Sequence, residues 1–278
     1  MQDAFAYCAE LVRTTDRDRY LATLFAPAEH RGALFALYAF DGELGRVREM
    51  AREPLPGEVR LQWWNDVLRG ERDGEAGANP VASALLQTIS RYGLDTAALI
   101  GVIEARRFDL YDEPIRTIAD LEDYERKTSS VLVALAAKML SSARVQETAD
   151  PAGIAYGIAL ILRAFPLHAA RGQLYVPADL LARHGVRTSD VFAGHSSDGL
   201  NTALAEMRNL ARRYLAKVGA RVPELPQEVL PAFLPVALVH PLLRRLDRCG
   251  AYSLVEISPW RRQWLIWRAA HNPARIAR

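Results

Sequence analysis

Apolar residues recur along this chain at helical spacing and almost nowhere at the alternating spacing of a half-buried strand. Residues 3–13 place Phe5, Cys8, Leu11 and Val12 on one helical face. Pro27 suits the first turn of a second helix, whose body is AEHRGALFALYAFDGELGRVREM. Val59, Trp63, Val67 and Leu68 mark a third stretch over 58–68. Helices over 80–91 and 95–111 follow, with Gly93 as stop and Asp95 as cap. Thr117-x-x-Asp120 opens a helix, or a pair of helices, reaching Leu140. Asp150-Pro151 opens the next, which runs to about Pro166, where a proline should kink it. Residues 172–200 are looser, broken by Pro177, Gly185, Gly194 and Gly199. Helices over 199–220, 228–247 and 259–271 complete the pattern. It predicts an all-α protein, and without a repeat, linker or low-complexity run, 1–278 reads as a single domain.

Composition narrows the class. Hydrophobic residues make up 50% of the 278 positions, enough for a large core. The net charge of +2, from 35 basic and 33 acidic side chains, argues against a dedicated nucleic-acid binder. Cys8 and Cys249 cannot staple a chain of this length and show no metal or redox spacing, so a reduced, intracellular protein is expected. The first residues carry acids and no apolar signal core, and no uninterrupted apolar run predicts a membrane-spanning helix. The expected place is the cytoplasm, with peripheral contact at the inner face of a membrane as the refinement.

Two stretches carry specific information: AEHRGALFALYAFDGELGRVRE (28–49) and YGIALILRAFPLHAARGQLYVPADLLARHGV (156–186). With IEARRFDL (103–110) and LEDYERKTSSVLVALAAKML (121–140), they resemble the squalene/phytoene synthase family over about residues 5–267. That resemblance implies an isoprenoid-synthase-like helical bundle around a central cavity. Its chemistry joins two prenyl diphosphates. Magnesium neutralises the departing diphosphate and takes its oxygen ligands from carboxylates on two facing helices. The family's first motif reads roughly Tyr-Ala-Phe-Cys-Arg-x-x-Asp-Asp-x-x-Asp. Here Tyr38, Ala39 and Phe40 match, Asp41-Gly42 replaces Cys-Arg, and the acids fall on Gly45, Arg46 and Glu49. In the second motif Gly157 and Leu160 replace Gln and Asn, Arg163 is kept, and the acids fall on Ala164 and His168. The following Arg171, Gly172, Tyr175 and Pro177 match.

One carboxylate, Glu49, survives of five, which predicts that no catalytic residue and no metal site remain. Asp41 and Glu43 lie nearby but at other helical angles. The resemblance leaves Tyr38, Arg163, Arg171 and Tyr175 as candidate ligand-binding residues. YCAELVR, PAEHR, FALYAFDGEL, LQWW and the Arg163–His168 segment are similar to a degenerate branch of the superfamily, that of respiratory complex I assembly factors. The chain begins almost where the shared region does, so a bacterial counterpart without a transit peptide is expected. The implied function is non-catalytic: assembly with a protein partner of the respiratory chain, or binding of a prenyl or lipid ligand in the cavity. A prenyltransferase with a rearranged magnesium site is the alternative.

Several features have plainer readings. Arg163 and Arg171, eight residues apart, serve either as an anion clamp or as salt-bridge partners of acids such as Glu49, Glu104 or Asp109. His168 reads as a hydrogen-bonded structural residue, and His184 and His195 show no metal spacing with it. Asp109, Asp112 and Glu113 read as exposed helix-end charges. Tyr38, Phe40, Trp63 and Trp64 read as core or cavity wall. Thr128, Ser129 and Ser130 lack a partner that would make a nucleophile. Trp260, Trp264 and Trp267 share one face of a basic helix with Arg261, Arg262 and Arg268, followed by Arg275 and Arg278. That face could lie on an anionic membrane, but packing of the Trp stripe onto the domain is the preferred reading.

Overall fold

A computed structural model describes residues 3–50, 53–111 and 113–278. They form helices and no strand among the described residues. In chain order these are α1 (Ala4–Thr15), α2 (Arg17–Thr23), α3 (Ala28–Gly45), α4 (Val47–Met50), α5 (Pro54–Leu68), α6 (Asp73–Ala78), α7 (Pro80–Tyr92) and α8 (Thr96–Arg106). A 3₁₀ turn, Arg107–Leu110, follows α8. Then come α9 (Ile118–Glu125), a π-helical turn Arg126–Ser130, α10 (Val131–Leu140), α11 (Gln146–Ala170), α12 (Ala178–Arg183), α13 (Thr188–Phe192), α14 (Asp198–Arg221), α15 (Leu230–Phe233), α16 (Val239–Leu246) and α17 (Pro259–His271).

The chain divides into two units interleaved in sequence: residues 1–111, 131–146 and 225–234 form one, and residues 112–130, 147–224 and 235–278 the other. In the first, α1, α3 and α7 pack on one another, α10 lies on α3 and α15, and α5 lies on α8. Every residue from Ala33 to Asp41 is buried, so α3 is covered on all sides, as expected of a helix that is apolar around its whole circumference. Phe40 meets Trp64 of α5 edge to face, with ring centroids 5.1 Å apart. Cys8 is buried in this unit, and burial pushes its thiol up to about 12, so it is an inert core thiol.

In the second unit α14 carries α12 on one side and α16 on another. Thr117 and Asp120 form a complete capping box at the start of α9. Of the predicted helix or pair of helices reaching Leu140, the pair is found, α9 and α10 joined by the π turn. α11 provides the reason for that turn's close seat. A Cβ on Gly153 would lie 2.3 Å from the backbone nitrogen and Cα of Ser130, and one on Gly157 would lie 1.6 Å from Oε2 of Glu125. The two glycines let the chain before α10 approach the α11 backbone directly.

Other sequence expectations shift in detail. α11 starts before Pro151 and continues through Pro166 to Ala170, so neither proline ends it. The predicted helix over 228–247 is cut into short α and 3₁₀ pieces, with Pro231 in the first turn of α15. The loose region 172–200 contains two short helices, α12 and α13. α2 was not foreseen; Asp16 caps it by accepting the Arg19 N–H at 3.0 Å. Two stretches, Gln146–Ala170 and Gln227–Leu246, are long and apolar enough to cross a membrane by length and composition, contrary to the sequence expectation. Their most apolar windows are 67% and 78% buried within the fold, as in core helices.

Gly153→Ala should destabilise the protein by about 3 kcal/mol, because the new methyl meets backbone that no rotamer change can relieve. Urea denaturation measures this. A loss within error of zero would mean that the π turn can shift away from α11.

Candidate functional site

The polar end of α3 is where the first motif should present its acids. Asp41 is buried there among arginines. Its Oδ2 accepts from Arg19 Nη1 at 2.6 Å, and its Oδ1 accepts from Arg106 Nη2 at 3.0 Å. The Arg19 and Asp41 side chains are only 9% and 8% exposed. Arg19 also approaches Asp16 Oδ2 at 3.4 Å, and Arg106 approaches Asp109 Oδ2 at 3.3 Å. Burial pushes the Asp41 carboxyl upward, but the guanidinium groups of Arg106 and Arg19 outweigh it and hold the group below the usual carboxylate range. The Arg19 guanidinium lies 5.1 Å from the centre of the Tyr38 ring. Burial pushes the Tyr38 phenol up to about 12, against the pull of that arginine. Tyr38 is therefore a wall of an ion cluster.

The second carboxylate of α3 is occupied in the same way. Glu43 accepts from Arg46 at 2.5 Å and from Arg60 at 2.6 Å. Gly45 ends α3 on the surface, and Glu49 lies exposed on the separate one-turn α4. The motif positions 45 and 49 thus do not share one continuous helix.

On α11 the second motif is equally rebuilt. The space a side chain at Gly157 would need is filled by the carboxylate of Glu125, which accepts from Ser129 Oγ at 2.6 Å. Arg163, Ala164 and His168 are half-buried. The His168 ring packs 4.7 Å from that of Tyr175, and Tyr124 lies 6.0 Å from Tyr175 on its other contact. Arg171 does not extend the helical row begun by Arg163: α11 has ended at Ala170, and Arg171 is exposed in the turn. Gly172 adopts φ +72°, and the amides of Gly172 and Gln173 return to Ala169 and His168 carbonyls. The retained Arg-Gly pair is thereby explained at its glycine, which closes the helix in a left-handed conformation.

The remaining candidates resolve into structure. Asp109 is buried and bound to Arg106, which corrects its reading as an exposed helix-end charge; Glu113 is exposed, and Asp112 lies outside the described residues. Glu104 pairs with Asn65 at 2.9 Å and with Arg107 at 3.0 Å. His184 bonds Glu206 at 2.6 Å, and His195 is exposed. Phe40 and Trp64 are core, whereas Trp63 is half-buried and donates to Glu75. Thr128 and Ser130 donate to the carbonyls of Tyr124 and Asp150. Sequence reasoning missed Arg19 and Arg106. Their signal was indirect: an acid at 41 inside an apolar helix needs a cation.

These residues do not fit a magnesium cluster. Magnesium requires several free oxygen donors. Asp41 and Glu43 are closed by guanidinium groups, positions 45 and 164 carry no oxygen-bearing side chain, and 168 offers nitrogen. No group of three or more His, Cys, Asp or Glu is placed to hold a metal among the described residues.

Comparison with known proteins agrees with this picture. The sequence model of a family described as squalene/phytoene synthase matches residues 12–268. The chain is 30% identical over 248 residues to the NADH dehydrogenase (ubiquinone) complex I, assembly factor 6 of Rattus norvegicus, covering 88% of this chain and 74% of that protein. Its fold is similar to that of a dehydrosqualene synthase in complex with ligand, with a TM-score of 0.80 at 19% identity over 97% of this chain and 96% of the other. A squalene synthase, HpnC from Alicyclobacillus acidocaldarius, gives a TM-score of 0.75 at 22% identity over 88% and 93%.

Asp41→Asn should cost about 3 kcal/mol, since it removes the anion shared by buried Arg19 and half-buried Arg106, which keep only the longer contacts to Asp16 and Asp109. Asp41 is depressed in the folded state. Its contribution is therefore full above its unfolded pKa, near about 3.9, and is lost as pH falls through the lower folded value. The stability gap between wild type and Asp41→Asn should be flat at neutral pH and close only in strong acid. Denaturant titrations at several pH values measure it.

Proposed function

Because the chain belongs to the squalene/phytoene synthase family, we propose that it is a non-catalytic member that assists the assembly of a respiratory-chain complex, working from the cytoplasmic side at the inner face of a membrane. The observation that carries this reading is that the family's acid positions 45, 46, 164 and 168 carry no carboxylate, while the nearby candidates to replace them, Asp41 and Glu43, are closed by four arginines. The relative named as a complex I assembly factor supports the direction. The family match runs through both units, which supports treating 1–278 as one domain. The arrangement leaves ion-paired carboxylates, suited to a structural or partner-holding role rather than to ionising a diphosphate.

The fold likeness to ligand-bound dehydrosqualene synthase favours one second reading, binding of a prenyl or lipid phosphate by Arg163, Arg171 and Tyr175 of the second unit. Arg163→Met tests it with a soluble prenyl monophosphate in calorimetry. Loss of heat, with less destabilisation than the roughly 3–5 kcal/mol of a broken buried pair, supports it. Unchanged binding, or none by the wild type, removes it.

The main reading predicts no squalene or phytoene from prenyl diphosphates with magnesium. It also predicts no micromolar, carboxylate-dependent magnesium binding. Gly45→Asp should stay inactive: position 45 has open space for an acid, but Arg46 and Arg48 flank it. Deleting the gene should lower the amount of assembled complex I, restored by the wild-type chain. Turnover by the unmodified protein would overturn the reading and leave the transferase alternative.

A further inference from the structure

The last long helix, α17, is built with two opposed faces. Leu265, Ile266 and Ala269 are buried. Trp260, Trp264 and Trp267 lie on the opposite side, within about 60° of arc at 3.6 residues per turn, and are 83%, 51% and 52% exposed. This reverses the preferred sequence reading, in which the stripe packs onto the domain. Leu254, just before the helix, is 69% exposed as well. A line of three open indoles is costly in water unless something covers it.

The charge around this face identifies what covers it. From Ile257 to Arg278 the chain has five arginines and no aspartate or glutamate. Arg261 is exposed on one flank of the Trp row. On the same flank Arg268 holds its guanidinium 4.4 Å from the centre of the Trp264 ring. The His271 ring lies 4.5 Å from that of Trp267, and its Nδ1 is 2.8 Å from the Trp267 carbonyl, which steadies that end of the row. Indoles favour the boundary between headgroups and acyl chains, where the ring is half in hydrocarbon and its N–H stays wet. Guanidinium groups beside them meet phosphate.

We propose that the outer face of α17 docks on an anionic lipid bilayer, with Trp260, Trp264 and Trp267 seated at headgroup depth and Arg261 and Arg268 on lipid phosphates. The inference deepens the membrane-side part of the proposed function and rests on that part alone. The helix lies in the interface plane and does not cross it: its inner face stays packed in the fold.

The test uses the full chain and vesicles of phosphatidylcholine with or without one-third phosphatidylglycerol. The protein should co-sediment with the anionic vesicles at least tenfold better than with neutral ones, and added salt should weaken this. Brominated acyl chains should quench its tryptophan fluorescence. The Trp260→Ala, Trp264→Ala, Trp267→Ala triple variant should lose at least tenfold in partitioning and all of the quenching, with an unchanged melting curve. Arg261→Glu with Arg268→Glu should abolish the preference for phosphatidylglycerol and provides a second readout if the triple variant misfolds. No vesicle binding by the wild type, equal binding to both vesicles, or undiminished binding by the folded variants would overturn the proposal. A Trp face covered by a protein partner would give the first of these results. Vesicle binding is read without any respiratory component, so its failure is separable from a failure to restore complex assembly in the deletion strain.

Discussion

Everything at the end of α3 depends on one buried anion held between two cations. Asp41 sits on a helix covered on all sides, and a lone carboxylate there would be very costly. Arg19 comes from α2 and Arg106 from the end of α8, so the ion cluster ties three helices to a fixed geometry. Desolvating three charges makes such a cluster a weak source of net stability, yet removing one member is severe. Its structural value lies in specifying which faces meet. The same pairing leaves Asp41 little to offer a metal, because both its oxygens already accept from guanidinium groups.

The scaffold was legible in the sequence to a large extent. Helical spacing located α1, α3, α5, α7, α14 and α17 within a few residues, since those helices have clear apolar faces or clear caps. The failures have separate physical causes. α11 runs through Pro151 and Pro166 because a long buried helix can tolerate a missing amide when packing holds it. The π turn at Arg126–Ser130 is invisible to periodicity, since it is imposed by the close seat against Gly153 and Gly157. α2 was too short to announce itself.

The candidate site was legible by subtraction only. The lost acids could be counted from the motif positions, but the partners that closed Asp41 and Glu43 lie 17 to 65 residues away along the chain, apart from Arg46. No local pattern encodes them. Likewise, the spacing of Trp260, Trp264 and Trp267 defined a face without saying whether it points inward; the burial of Leu265, Ile266 and Ala269 decides that. Arg171 shows the converse: a matched motif residue whose neighbour Gly172 has a backbone duty, while the arginine itself stands in the solvent-facing turn.

Glu125 and Gly157 also limit which substitutions the second-motif helix can take. The family pattern has a glutamine at 157, and here the Glu125 carboxylate occupies the room that side chain would need. A glutamine placed at 157 alone would therefore displace the Glu125 carboxylate before it could contribute anything. Position 125 must first shrink or turn away, and that exposes a buried glycine face with nothing yet to fill it. The two positions are therefore coupled: the room for a side chain at 157 is set by where the carboxylate at 125 lies.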